Sequence, residues 1–220
     1  MSRALVAALL ALVGCATPTL AADGYRHPTL GLHAKASEGT PLSGRTGWSP
    51  TLAPDGGLRL TRESSAARIA LNAVRLPAAL HETGLPALAE RWVAGLTAGQ
   101  LGLQTLAGVP TARRTTYVTT VLDAADGRVA GQPARLVFVD LAEPRTSGTE
   151  TVRGETQLQV LAALVRGDVG VRRDIGEAVV EEPAVILATL VAPAEELEAE
   201  ATAFVAFLEA LELRPREGTP

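Results

Sequence analysis

The only cysteine of the 220-residue chain, Cys15, directly follows an apolar run near the N-terminus. The run is the ten-residue stretch Ala4–Val13, and Arg3 places a positive charge just before it. A positive start, a short apolar stretch and small residues after it are the layout of a secretory signal. A helix needs ~20 residues to cross a bilayer, so this run is too short to span one. We interpret the Cys15 thiol as an attachment point for lipid on an exported chain.

Four residues that end at the cysteine resemble the lipobox of bacterial lipoproteins: Leu12, Val13, Gly14 and Cys15. The resemblance implies that residues 1–14 are a signal peptide and that Cys15 becomes the acylated first residue. Several acyl chains would hold such a protein on a membrane, because one chain alone binds only marginally. Ala16 is not the aspartate that marks inner-membrane retention in enterobacterial lipoproteins, so the resemblance implies the outer membrane, facing the periplasm. The alternative is an ordinary signal cleaved near Leu20–Ala22, which would discard Cys15.

Composition restricts the rest of the chain to a folded protein without an electrostatic basis for nucleic-acid binding. Hydrophobic residues make up 47% of the sequence, which is ordinary for a globular domain. The formal net charge is −4 and the pI is near 5.5, so no nucleic-acid partner is expected. Aromatic residues are only 3%, and the core must therefore be built mainly from aliphatic side chains.

Motifs for catalysis or cofactor binding are missing from the sequence. There is no Gly-x-Ser-x-Gly and no His-Glu-x-x-His. Lys35 is the only lysine and Leu32 precedes it by three residues, which excludes a Ser-x-x-Lys pair and a Walker A loop. The stretch Gly167–Gly170 lacks the third glycine of a dinucleotide loop. We expect a non-enzymatic protein without cofactor or metal, in which His27 and His33 are exposed linker residues.

Two clusters of charged residues have both a functional and a structural interpretation. Arg172 and Arg173, together with Arg113–Arg114, are candidates for contact with an anion or an acidic partner. Scattered surface arginines explain the same residues. Glu195, Glu196 and Glu198 could suggest a metal site, but we interpret them as the solvated N-terminus of a helix, where carboxylates oppose the helix dipole.

A change in composition predicts a flexible tether before the folded domain. Between Asp23 and Gly57, 18 of 35 residues are Gly, Pro, Ser or Thr. We predict a lipidated tether over residues 15–57, a globular domain over 58–214 and a disordered tail over 215–220. Trp48 interrupts the tether, and we expect it to fold back onto the domain edge rather than to remain an exposed recognition residue.

Alternating apolar residues predict several antiparallel strands. Ile69, Leu71 and Ala73 lie on one face of the second of these strands, and Ala124–Gly127 resembles a hairpin turn. The stretch Glu155–Asp168 fits a helix or a strand, and we choose a strand. The predicted strands lie within Leu58–Arg62, Ala67–Val74, Ala107–Leu122, Ala130–Leu141, Glu155–Asp168 and Ala184–Ala192.

Two amphipathic helices complete the prediction. The first begins near Pro86, and its apolar stripe is Leu85, Leu88, Ala89, Trp92 and Leu96. The second covers the stretch after Ala192 to Leu213. Its predicted apolar stripe is Leu197, Ala201, Phe204, Val205, Leu208 and Leu211.

This order of elements predicts an α+β domain, an antiparallel β-sheet covered by helices. Three stretches carry a resemblance to the PsbP-like family, including bacterial lipoproteins of the DcrB type. They are "GLPALAERWVAGL", "AGQPARLVFV", and "VILATLVAP" with the helix ending "FVAFLEALEL". The resemblance implies a PsbP-like α/β/α sandwich over about Leu58–Arg214 and a non-catalytic envelope or accessory protein, with no shared catalytic residues.

Three functions are compatible with these patterns. The first is a membrane-anchored accessory or interaction module that binds an envelope protein partner. The second is a carrier of a lipid or other apolar ligand in a cavity between sheet and helix. The third is an enzyme of unrecognised type, because active sites can assemble from residues distant in sequence.

Overall fold

The structure, a computed structural model, describes residues 17–97, 106, 117–172 and 179–213. For residues 169–172 and 179–181 it describes the backbone alone. Seven strands form the main sheet in the spatial order β4-β5-β6-β10-β9-β8-β7. Every described strand pair is antiparallel. The strands are β4 (Trp48–Leu52), β5 (Leu58–Arg62), β6 (Arg68–Arg75), β7 (Val118–Val129), β8 (Gln132–Ser147), β9 (Glu150–Arg172) and β10 (Val179–Ala192).

A second, four-stranded sheet joins the two ends of the described chain. Its order is β1-β2-β3-β11. The C-terminal strand β11 pairs with β3 through Glu212 opposite His33. The strands are β1 (Thr19–Ala21), β2 (Gly24–His27), β3 (Leu32–Lys35) and β11 (Leu211–Leu213).

Two helices, α1 (Leu85–Thr97) and α2 (Ala194–Glu209), pack against opposite faces of the main sheet. Helix α1 contributes Leu88, Trp92 and Leu96 to a core with β8, β9 and β10. Helix α2 and the small sheet share the other core, which includes Phe204 and Phe207. Within the described ranges, neither helix is long and apolar enough to span a membrane.

The predicted tether is wrong from Thr19 onward, because this segment is part of the folded core. Tyr25, Leu32, Ala34 and Trp48 are all buried. Burial of Trp48 confirms that it packs on the domain. The expectation that His27 and His33 are exposed is wrong, because His33 is buried and His27 is half-buried. The Gly and Pro residues that suggested a linker form tight turns between short strands. Pro28 and Pro41 begin 3₁₀ turns. Six of the glycines have positive φ: Gly24, Gly31, Gly39, Gly44, Gly47 and Gly56.

The strands predicted at β5, β6, β9 and β10 are confirmed, but the predicted hairpin turn is not. Ala124–Gly127 lies inside β7. The turn that joins β7 to β8 is Ala130–Gly131, with φ values of 52° and 77°. A two-residue hairpin turn favours positive φ at both central positions, because that geometry matches the twist of the strands. The first two residues of the stretch "AGQPARLVFV" are therefore the turn itself, and β8 begins at Gln132.

The C-terminal helix ends earlier than predicted and buries a different stripe. Helix α2 stops at Glu209, and Leu211 belongs to β11, where the Lys35 amide donates to the Ala210 carbonyl (3.1 Å). Val205 is 51% exposed, and its predicted place on the inner face is taken by Phe207. Glu200 is also buried on that face, with the Arg62 side chain as its ion-pair partner at 3.1 Å. The stripe predicted from apolar residues omits Glu200, because the Arg62 partner that allows this carboxylate to be buried is distant in sequence.

We expect Leu32→Ala to lower the free energy of unfolding by about 2–5 kcal/mol, because it removes a buried side chain from the core. Leu52→Ala, at a position 42% exposed, should change the free energy by less than about 1 kcal/mol. Urea unfolding of both variants measures the difference. Equal effects would contradict an N-terminal segment that is integral to the core.

Candidate functional site

The predicted lipid attachment point lies just before the described chain. Cys15 and the lipobox residues Leu12, Val13 and Gly14 fall outside the described residues, which begin at Thr17. Pro18 packs against Gly56, in the turn between β4 and β5, so closely that a Cβ added to Gly56 would lie 2.8 Å from the Pro18 Cγ. The Tyr25 hydroxyl donates to the carbonyl of the same Gly56 (2.8 Å). The chain therefore enters the domain at a fixed point.

The opposite edge of the main sheet is formed by β7, which has twelve residues. One side of β7 pairs with β8, and a register shift between Val121 and Asp123 marks a β-bulge at Leu122. Val121 and Leu122 are each 47% exposed, and Leu136 on β8, opposite Ala125 of β7, is also exposed. We call β7 with Leu136 the β7 edge. In the part of the chain that the structure describes, no strand pairs with the other side of β7. An unpaired edge strand presents backbone N–H and C=O groups that can pair with another chain.

The start of β7 is fixed to helix α1. The Thr97 and Thr119 hydroxyls are hydrogen-bonded at 2.8 Å, and the Tyr117 amide donates to the Thr97 carbonyl at 3.5 Å. The last residue of α1 therefore holds the first residues of the edge strand. This connection keeps the backbone of the β7 edge in a defined position.

A buried carboxylate, Asp140, supports the hairpin between β8 and β9. Its side chain accepts hydrogen bonds from Arg153, from Thr156 at 2.9 Å and from Gln159 at 3.2 Å. Burial by itself would raise the pKa of Asp140, but these hydrogen bonds and the charge of Arg153 outweigh burial and hold the pKa below its ordinary value. Asp140 is thus ionised and fully occupied by neighbours, an arrangement suited to support rather than to proton transfer.

A second cluster connects α2 to the β5 end of the sheet. The Arg62 guanidinium pairs with Glu200, donates to the Thr46 carbonyl and lies 5.6 Å above the Trp48 ring. Glu196 accepts from the Ala66 amide at 3.2 Å, in the turn between β5 and β6. These contacts join three elements around a buried carboxylate, and they also give Glu196 a structural role.

The described histidines and the buried tyrosine make local structural contacts. Burial lowers the pKa of His27, although a backbone hydrogen bond opposes this effect, and its Nδ1 lies 2.9 Å from the Thr29 hydroxyl. Burial raises the pKa of Tyr25, and the charge of Asp55 adds to the increase. His81 Nε2 lies 3.0 Å from the Leu76 carbonyl. A neutral imidazole and a protonated phenol both suit a core position.

Arg166 fastens the loop before α1 to the main sheet. Its guanidinium, on β9, donates to the carbonyls of His81 and of Thr83, the latter at 2.6 Å. The loop therefore keeps a fixed path into α1.

The predicted anion site remains a prediction. Arg172 ends β9, but its side chain and all of Arg173 and Arg113–Arg114 lie outside the described residues. In the part of the chain that the structure describes, no three His, Cys, Asp or Glu side chains are grouped to hold a metal.

A cleft of about 280 Å³ opens at the C-terminal end of α2. Its lining includes two carboxylates, Glu38 and Glu209, beside Ser37, Gly39 and Thr40. A site for an apolar ligand is lined mostly by hydrophobic side chains. This polar cleft does not lie between sheet and helix and does not support the carrier function.

We expect Asp140→Asn to lower the free energy of unfolding at neutral pH by about 1.5–3 kcal/mol, because it replaces hydrogen bonds to a charged carboxylate by weaker bonds to a neutral amide. Because the folded-state pKa of Asp140 lies below the unfolded value of about 3.9, its stabilisation is present above that pH and is lost as the pH falls through the folded value. The variant should therefore lose less stability than the parent between pH 7 and pH 3. The control is Asp126→Asn, which breaks an exposed pair with Arg135 and should cost less than about 1 kcal/mol. An equal acid response of parent and Asp140→Asn would contradict this role.

Comparison with known proteins yields a likeness of fold. No protein-family model matches the chain, and no curated protein matches it. The solution structure of cyanobacterial PsbP (CyanoP) from Synechocystis sp. PCC 6803 is similar, with a TM-score of 0.52 and 10% sequence identity. The match covers 92% of this chain and 95% of that one. It extends well beyond the range predicted from Leu58, in agreement with the folded N-terminal segment. The chain therefore has a PsbP-like fold, a sandwich of mainly antiparallel sheets with two helices among its described residues.

Proposed function

We propose that this protein is a lipid-anchored, non-catalytic interaction module of the bacterial envelope. Its interaction surface is the β7 edge, and its partner supplies an extended segment that adds to the sheet as a further strand. The observation that carries the proposal is the twelve-residue edge strand with exposed Val121 and Leu122. Strand addition uses backbone hydrogen bonds for affinity and side-chain contacts for specificity.

The β7 edge differs from the other edge of the main sheet. Strand β4 has five residues and contains Pro50, which has no backbone N–H to donate. Strand β7 is longer and contains no proline or lysine. Its devices against pairing are the bulge at Leu122 and the charges of Asp123, Asp126 and Arg128. The length of β7 and the exposure of Val121 and Leu122 support a role in binding, because they offer more backbone groups for pairing than β4 does.

The charges on β7 favour a different protein over a second copy of this chain. The strand has two aspartates, Asp123 and Asp126, and one arginine, Arg128. Because the strand has one more acidic than basic residue, a segment with apolar and basic residues complements this edge better than a second β7, whose excess charge has the same sign.

Anchoring through Cys15 is supported by the lipobox resemblance and by the position of β1. Cleavage before Cys15 keeps β1 in the mature protein. The alternative cleavage near Leu20–Ala22 would remove β1 and the contact of Pro18 with Gly56. Ala16 favours the outer membrane, with the domain in the periplasm. The proposed non-catalytic role is supported by the polar clusters around Asp140 and Arg62, whose side chains are engaged in joining strands and helices.

Leu122→Lys tests the interaction surface. We expect this substitution to abolish complex formation with the envelope partner, because a lysine on an edge strand opposes strand addition. A photo-cross-linker placed at residue 120 detects the complex. Val205→Lys is the matched control, since Val205 is similarly exposed but lies on α2, and it should keep the cross-link. Loss of the cross-link in both variants, or in neither, would argue against the β7 edge.

The N-terminal mass of protein extracted from its own membranes tests the anchor. We expect the mature chain to begin at Cys15 with several acyl chains attached. An unmodified N-terminus after Ala22 would refute the anchor. A measured turnover that is lost with one side chain would refute the non-catalytic role.

A further inference from the structure

The point where the chain enters the domain lies close to the proposed lipid anchor. Only residues 16 and 17 separate Cys15 from Pro18, and Pro18 packs against Gly56. Three residues span at most about 11 Å even when fully extended. An acylated Cys15 therefore leaves no free tether, and the surface around Pro18 must lie next to the bilayer.

The surface around this point is formed by β1 and the end of β4, which lie against each other. We call it the β1–β4 surface. Its exposed residues are small, apolar or hydroxyl-bearing, apart from Asp55: Thr19, Ala21, Ala22, Thr51, Leu52 and Pro54. Leu52 is its large exposed apolar side chain, 42% accessible. Nearby, Asp23 is paired with Arg26, so that charge is balanced locally. A surface with little net charge can approach lipid headgroups without strong repulsion.

We propose that the β1–β4 surface docks on the lipid headgroups, held there by the short connection to Cys15. This inference rests on the proposed lipid attachment. The occupant is the bilayer because the two residues between Cys15 and Pro18 are too few to let another protein lie between anchor and domain. The β7 edge is six strand positions from β4, about 29 Å at ~4.8 Å per strand. Docking at β4 therefore directs the β7 edge away from the membrane, where a partner can reach it.

Fluorescence quenching on vesicles tests this orientation. Full-length acylated protein is bound to vesicles of phosphatidylethanolamine and phosphatidylglycerol that contain a headgroup spin-labelled lipid. Leu52→Cys or, as the matched control, Leu122→Cys provides the labelling site. Acylated Cys15 has no free thiol, and the native chain has no other cysteine. We expect severalfold stronger quenching of a fluorophore at residue 52 than at residue 122.

The outcomes separate this inference from the proposed function. Acylated, vesicle-bound protein with equal quenching at the two sites, or with stronger quenching at residue 122, would overturn the docking alone. A mass spectrum without acylated Cys15 would overturn the anchor and the docking together. Insertion of twelve Gly and Ser residues between Thr17 and Pro18 should reduce quenching at residue 52 to the level at residue 122. Quenching unchanged by this insertion would contradict the role of the short connection.

Discussion

Strand β10 is enclosed on both edges and both faces, and the arrangement of the other layers depends on this enclosure. It pairs with β6 on one side and β9 on the other. Val185 and Leu187 face the core under α1, whereas Ile186 and Leu190 face α2 and the small sheet. Ala184, Ala188 and Ala192 alternate with the larger residues on the second face, and they leave room for Phe204 and Phe207. One strand thus sets the spacing of the layers on both sides.

Sequence patterns could predict the elements whose periodicity is local. The alternation in β6 and the stripe of α1 follow from one-sided burial. Strands β9 and β10 instead contain apolar runs, because both of their faces are buried. The N-terminal strands were missed because each has only three to five residues and lies between turn-forming glycines and prolines. Such a segment has the composition of a flexible linker. Only the pairing of its strands with other strands distinguishes it from one. Glu200 was missed because its burial requires Arg62, 138 positions away in sequence.

The same distinction applies to the candidate site. Cys15 was predicted as a lipid site from consecutive residues that resemble a secretory signal. The β7 edge was not, because its exposure depends on the order of strands in the sheet, and that order is set by contacts between distant segments. The clusters around Asp140, Arg62 and Arg166 likewise combine residues from separate elements. These clusters hold the hairpins and α2 in fixed positions.

The small sheet also has a consequence for how the chain folds. Strand β3 pairs on its outer side with β11, and β6 pairs with β10. In both sheets an early strand therefore depends on a strand made much later in the chain. Contacts between residues so far apart in sequence form slowly, because the entropy of loop closure opposes them. A chain emerging from the ribosome cannot complete the main sheet before β10 is made, or the small sheet before β11 is made. Strands β3 and β6 therefore each lack one neighbour until those later strands arrive.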